Sequence, residues 1–417
     1  MDTNLCAYSS FEVFSRPPTE IGLEEVQEHQ ILPLTAITSS TSTLEFDIPG
    51  AGDEYIDLAS MRLYLQVKVK TTDGTAVADD KISLIKNWAQ SLFRQVDLFF
   101  NGTLVTTSSS LYHYGAYVST LLTFPKAVKD HQLQALEHWE EWKVTAAKKE
   151  NEALIRLHLP PCQQQRFLLN GINVHLRLLR SSDDFIFKRQ DATDTKKYTL
   201  SIDKCSLFVK KVTPSPTLLL DHARELGKMN AIYPIERISP KFFTLGSGLR
   251  DFDLNNVCQG QLPTRIVVGL VSSKDFSGDL KTDPYKFQHF NLTSISLNCS
   301  GKVIPAAPLE LDYSKGFCRR AYYQLLDATE GPCADAESVG ISLEDYTSNG
   351  YCLYGFTLSH TLTGPNESVP PRENGYVNAK LKFENALAEN VCAIFFIEYN
   401  NILEVDSARN IYMDFAA

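Results

Sequence analysis

His131, Glu137, His138 and Glu141 lie close together in the sequence, a mixture of imidazoles and carboxylates of the kind that ligates divalent metals. His138 and Glu141, three residues apart, would share one face of the expected helix and resemble half a metal site. No second ligand pair completes it, so a solvated helix face is expected and no metal is predicted. Asp183-Asp184 reads in the same way, as a pair of acids in a solvent-facing turn. Nine cysteines, at 6, 162, 205, 258, 299, 318, 333, 352 and 392, contain no CxxC. Neither zinc spacing nor a disulfide scaffold is present, and free, mostly buried thiols of a reducing compartment are expected. Thr244–Asp251 holds two glycines spaced like the start of a dinucleotide loop. The third glycine and the strand–helix context are missing, which predicts a flexible turn. Asn101, Asn291, Asn298 and Asn366 head Asn-x-Ser/Thr triplets, but the opening MDTNLCAYSSFEVF has neither the basic nor the apolar region of a secretory signal, so glycosylation is not expected. HExxH, GxSxG, P-loop and EF-hand patterns are absent from the sequence. The expectation is a chain that is not an enzyme and takes no cofactor.

With 417 residues, 43% hydrophobic and 22% charged, the chain excludes collagen, coiled coil and wholesale disorder. Forty basic against fifty acidic residues leave a net charge of −10. So acidic a surface does not wrap nucleic acid as a whole. The pairs Lys196-Lys197, Lys210-Lys211 and Arg319-Arg320 lack interleaved aromatic residues, which allows weak, salt-dependent contact at most. Val391–Ile397 is far too short an apolar run to span a bilayer, so no membrane association is expected.

The elements follow from periodicity. Met61–Lys70 alternates apolar and polar residues, as do Ile172–Leu178 and Val377–Phe383, the pattern of half-buried strands. Arg265–Val271 and Val391–Tyr399 are apolar on both faces and suit strands in the middle of a sandwich. Turn pairs such as Asn101-Gly102, Asn170-Gly171 and Ser300-Gly301 punctuate the runs, together with Pro49-Gly-Ala-Gly-Asp53. Pro125–Asn151 breaks the pattern and predicts one amphipathic helix or two short ones. Shorter helices are expected at Tyr112–Thr123 and Phe317–Leu326.

Four segments recur in the same order. Glu45–Ile48 resembles Asp251–Leu254, Arg62–Leu65 resembles Arg265–Val268, Val96–Val105 resembles Ile295–Ile304, and Ile172–Leu178 resembles Val377–Phe383. Two copies of one β domain follow, joined at Val212–Thr217, where two prolines cannot sit in a central strand. The predicted domains are an N-terminal arm (1–30), a first sandwich (31–213) and a second (218–417).

Leu58–Leu65, Asn87-Trp88, Leu92–Gly102 and Tyr112–Leu122 resemble the double jelly-roll major capsid proteins of Polinton/Maverick elements and adintoviruses. The resemblance implies a mainly β chain of two eight-stranded antiparallel jelly rolls side by side, with short helical insertions. It further implies pseudo-hexagonal homotrimers tiling an icosahedral shell around a DNA genome. Implied partners are neighbouring capsomers, penton proteins and minor capsid proteins. The implied location is the virion, after synthesis in the host cytoplasm and assembly in the nucleus. Candidate assembly contacts are Phe11, Val13 and Phe14 in the arm, and Trp139 and Trp142 in a helical insertion placed at one end of the first jelly roll. A second reading is an intracellular, lectin-like binding protein whose ligand site would use Trp88, Trp139 and Trp142.

Overall fold

The computed structural model describes residues 21–38, 42–50, 52–75, 77, 81–191, 193–329, 339–358 and 371–415. Strands in the first half of the chain are β1 (Leu23–Ile31), β2 (Thr43–Ile48), β3 (Tyr55–Thr71), β4 (Ile82–Leu84), β5 (Phe93–Phe100), β6 (Thr103–Leu104), β7 (Trp142–Lys143), β8 (Glu150–Arg156), β9 (Val174–Arg180), β10 (Phe187–Arg189) and β11 (Tyr198–Pro214). In the second half they are β12 (Ala231–Leu245), β13 (Asp251–Gln261), β14 (Arg265–Ser272), β15 (Leu292–Cys299), β16 (Lys302–Glu310), β17 (Leu353–Thr357), β18 (Asn374–Phe383), β19 (Val391–Val405) and β20 (Ile411–Met413). Three helices matter below: α1 (Tyr112–Thr123), α2 (Pro216–Leu226) and α3 (Arg319–Thr329).

Alternation becomes burial where it was expected. Along β3, Met61, Leu63, Leu65, Val67 and Val69 are buried, while Arg62, Tyr64, Gln66 and Lys68 are partly exposed. Central strands β14 and β19 are buried almost throughout, matching their unbroken apolar runs. Asn101-Gly102 and Ser300-Gly301 have positive φ at both residues, the backbone a tight two-residue hairpin demands. They join β5 to β6 and β15 to β16.

The first half packs sheet β1-β11-β3-β8 against sheet β2-β9-β5-β6; the second packs β12-β19-β14-β17 against β13-β18-β15-β16. Every strand of the first pair of sheets has a counterpart at the same place in the second. Each sequence repeat falls on such a pair: β2 with β13, β3 with β14, β5–β6 with β15–β16, and β9 with β18. Two sandwiches of eight strands each, with one topology, are the result. Two small additions stand outside this plan, a three-stranded sheet β10-β4-β7 and strand β20 on the edge of β19.

Three expectations are corrected. Residues 23–30, assigned by sequence to the arm, belong to the edge strand Leu23–Ile31, paired antiparallel with β11. Pro125–Asn151 is helical only from Lys126 to Glu137, with a π turn at Lys129–Leu133, and its C-terminal part gives β7 and the start of β8. Val212–Thr217 is where β11 ends at Pro214 and α2 begins at Pro216. The two prolines thus do punctuate the chain, but the link continues as a helix whose Leu219 and Leu226 pack on the first core.

Candidate functional site

The residues with chemical potential are dispersed. Glu137 is buried and its Oε1 accepts the backbone N–H of Arg156 at 3.1 Å; burial pushes its carboxyl above the ordinary range. His138 Nε2 lies 2.8 Å from the Glu152 carbonyl, and its ring stacks on Trp88. Glu141 accepts from Ser83 at 2.6 Å and Lys188 at 2.8 Å, and these bonds hold its carboxyl low against the upward push of burial. His131 is exposed. Asp183 pairs with Arg180 at 2.6 Å. Among the described residues no three His, Cys, Asp or Glu side chains group to hold a metal, and all seven described cysteines are free and buried. Thr244–Asp251 is the turn between β12 and β13, with Gly248 at positive φ donating its N–H to Leu387.

What the geometry brings together is the seam between the two halves. The core of the second sandwich contains Tyr114, Tyr117, Val118, Leu121, Leu133 and Trp139 from the first half of the chain. The core of the first sandwich in turn takes Tyr233, Ile235, Leu403 and Val405 from the second. Tyr117 stacks on Tyr285 at 4.1 Å and 4°, and on Trp139 at 5.1 Å. Tyr114 donates its hydroxyl proton to the Pro284 carbonyl at 3.0 Å, and Ser91 and Tyr285 share a 2.6 Å hydrogen bond. Lys129, buried and bonded to no carboxylate among the described residues, donates to the Leu121 and Val339 carbonyls at 2.9 and 2.7 Å; burial lowers its ammonium to about 8. Each half therefore lends side chains to the core of the other.

This placement answers the tryptophan expectations. Trp139 is 4% exposed and belongs to the second sandwich's core, so it has almost no surface to offer a second molecule. The insertion carrying it is a wedge between the halves, where an end decoration was expected. Trp88 is fully buried and Trp142 half-buried against the first core, so no open aromatic ligand site of three tryptophans exists. Phe11, Val13 and Phe14 lie outside the described residues. The charge-rich helical pattern around Trp139 concealed its burial, and no signal in the sequence marks it. Replacing Trp139 by alanine is expected to cost about 3–5 kcal/mol, read as a lowered thermal unfolding midpoint. An unchanged midpoint would contradict its place in the core.

Exposed apolar side chains are collected elsewhere. Ile21, Leu23, Val26, Leu32 and Leu34 are exposed along and beside β1, while Phe317 and Tyr323 are exposed at α3. A groove of about 730 Å³ opens between the start of β1, α2 and the start of β12, lined by Leu23, Phe167, Leu218, Leu226, Met229 and Ile232 among others. Patches like these on a stable core mark contact surfaces.

A chain in the Sputnik virophage structure superposes with a TM-score of 0.62 over 100% of this chain and 94% of its own length, at 10% identity. The Faustovirus major capsid protein gives 0.58 over 94% and 92% at 9% identity, and the mavirus major capsid protein 0.54 over 100% and 96% at 12%. The fold is the double jelly roll of viral major capsid proteins. No protein-family model matches the sequence. A sequence relative, the uncharacterized protein F54H12.2 of Caenorhabditis elegans, is 23% identical over 342 residues, 79% of this chain and 81% of the relative. In double jelly-roll terms the wedge joins roll to roll within one chain, and the exposed strips at β1 and α3 lie on flanks that the chain itself leaves open.

Proposed function

We propose that this chain is a major capsid protein of the Polinton/Maverick and adintovirus type, assembling as pseudo-hexagonal homotrimers that tile an icosahedral shell around DNA. The observation that carries this reading is the strand-for-strand duplication of one sandwich inside one chain. Two like rolls in a molecule repeated threefold present six similar flanks, which one kind of contact can tile. The dispersed acid and base residues described above fit a structural role, and the capsid proteins that share the fold favour it over ligand binding. A relative in an animal fits a family of genetic elements. Neighbouring capsomers, penton and minor capsid proteins are the proposed partners, the virion is the proposed location with nuclear assembly, and contact with the genome is at most weak. Residues 1–20 are proposed as an arm that orders against a neighbour, and Trp142 as a rim contact.

Light scattering of the purified chain is expected to give a trimer, and negative-stain images to show hexagonal particles or shells. A stable monomer at micromolar concentration overturns the reading. Shells that form unchanged without residues 1–20 would remove the arm from it.

A further inference from the structure

We propose that β1 of one copy and the outward face of α3 on the next form the contact between chains, repeating between molecules the packing that α1 makes on β12 within one. This inference rests on the capsid reading and assigns the surface that such an assembly would use.

The template is internal. Strand β12 pairs with β19 along one edge, and its other side meets the first roll. There α1 packs on it. Phe242 of β12 lies 4.7 Å from Phe276, which stacks on Tyr114 of α1 at 5.6 Å. Arg166 donates to the Ile232 carbonyl at 2.6 Å, capping an otherwise open strand group. An open edge of this kind is a ready template for another chain, and covering it is how folded proteins remove the hazard.

Strand β1 holds the position of β12 in the first roll, with β11 as its partner. Among the described residues no other strand pairs with its second edge, and all its side chains are exposed or half-exposed. Helix α3 is the counterpart of α1 in chain order, since they follow the hairpins at Ser300-Gly301 and Asn101-Gly102 respectively, although α1 packs on β5 of its own roll. It docks on β17 through Ala321, Leu325 and Ala328, and Gly355 permits the approach, because a Cβ there would sit 2.7 Å from Ala328 Cβ. On α1 nearly every side chain is buried, since both flanks are covered; on α3 Arg319, Arg320, Tyr323 and Asp327 stay open.

The two open surfaces are complementary. Strand β1 presents Val26 and Glu28 on one face and Glu25, which accepts from Gln27, on the other, with Glu24 at its bulged start; none of the three glutamates is in an ion pair among the described residues. Helix α3 presents Arg319 and Arg320 beside Tyr323, with Phe317 66% exposed just ahead. Arg320 donates to the Ala307 and Pro308 carbonyls, which fixes its guanidinium at the surface. Acid meets base around an apolar centre, the arrangement that sets register and partner choice at an interface. Because the two surfaces differ, the contact is head-to-tail, and it closes into a ring when the rotation between successive rolls allows.

Three variants test this by light scattering over a concentration series: Arg319→Glu, the triple Glu24→Arg, Glu25→Arg and Glu28→Arg, and all four changes combined. The first two are expected to weaken self-association by at least about tenfold, and the combination to restore most of the loss. All these side chains are exposed, so unchanged thermal midpoints show that the fold survives. Variants that assemble like the unmodified chain, or a combination that restores nothing, overturn this surface while leaving the capsid reading standing. An unmodified chain that remains monomeric overturns both.

Discussion

Lowering the pH from 6.5 to about 3 is expected to strip several kcal/mol of stability from the chain, because two histidines at the seam are held neutral. His113, in α1, is buried against Phe185 at 4.3 Å, and its Nδ1 accepts the Tyr114 N–H at 3.0 Å. His158 has a fully enclosed Nδ1 without a partner, and its Nε2 lies 3.2 Å from Thr120 Oγ1 on the same helix. Burial pushes both down to about 3, and the Arg156 guanidinium adds to the effect on His158. An unfolded chain takes up these protons near the ordinary value of 6.5. Stability is therefore complete above pH 6.5 and falls as the pH descends toward 3, by up to about 1.4 kcal/mol per pH unit for each ring. The ceiling is on the order of 4–5 kcal/mol per histidine, against a total of roughly 5–15 kcal/mol for a folded domain. Glu137 works the other way: burial raises its carboxyl, so it recovers some stability as the pH falls through that raised value toward the ordinary carboxylate range, and adds nothing further below it. Urea midpoints measured between pH 7 and 4 should fall steeply, and His158→Gln should flatten the slope by about one proton. Flat midpoints across that window would show that neither ring is as enclosed as the packing requires.

The seam that these histidines occupy was the least legible part of the chain. Strands announced themselves because one face of each is buried within its own roll: Met61 to Val69 can be read without knowing what lies opposite. The duplication was legible for the same reason, and so were the hairpins at Asn101-Gly102 and Ser300-Gly301, whose backbone demands those residue types. Two things were hidden, both for physical reasons. Strand β1 carries no alternation because an edge strand exposed on both faces buries little, and LEEVQEHQI therefore reads as a tail. Trp139 lies just past a short helical turn that ends at Glu137, beside the solvent-facing Glu140, while its ring completes the core of the roll formed by the second half of the chain. Local pattern reports whether a residue is buried against its own neighbours; it is silent on burial supplied from a distance.

Replacing Gly50 by alanine is expected to destabilise the first roll by about 3 kcal/mol, at the upper end of the usual cost of overpacking. The sequence marks Pro49–Asp53 and Asn170-Gly171 as two separate turns. In the structure they cross backbone to backbone at the end of the β2–β9 ladder, one step beyond the Ile48–Val174 pair. Gly50 donates its N–H to Asn173 Oδ1 at 3.0 Å, and its carbonyl accepts the Gly171 N–H at 2.7 Å. A Cβ on residue 50 would lie 2.1 Å from the Ile172 carbonyl oxygen and 2.4 Å from the carbonyl carbon. Backbone atoms cannot swing aside as a side chain does, so a methyl group there must part the two turns and break both hydrogen bonds. Gly52, two residues on, makes the opposite case. It has φ of 94° and nothing within 4 Å of a Cβ, so alanine there meets no clash and costs only the left-handed backbone, roughly 1 kcal/mol. The thermal midpoint should therefore drop by roughly 6–12 °C for Gly50→Ala and by a few degrees for Gly52→Ala. The reverse order would mean that conformation, and not the close approach of the two turns, is what glycine supplies at this crossing.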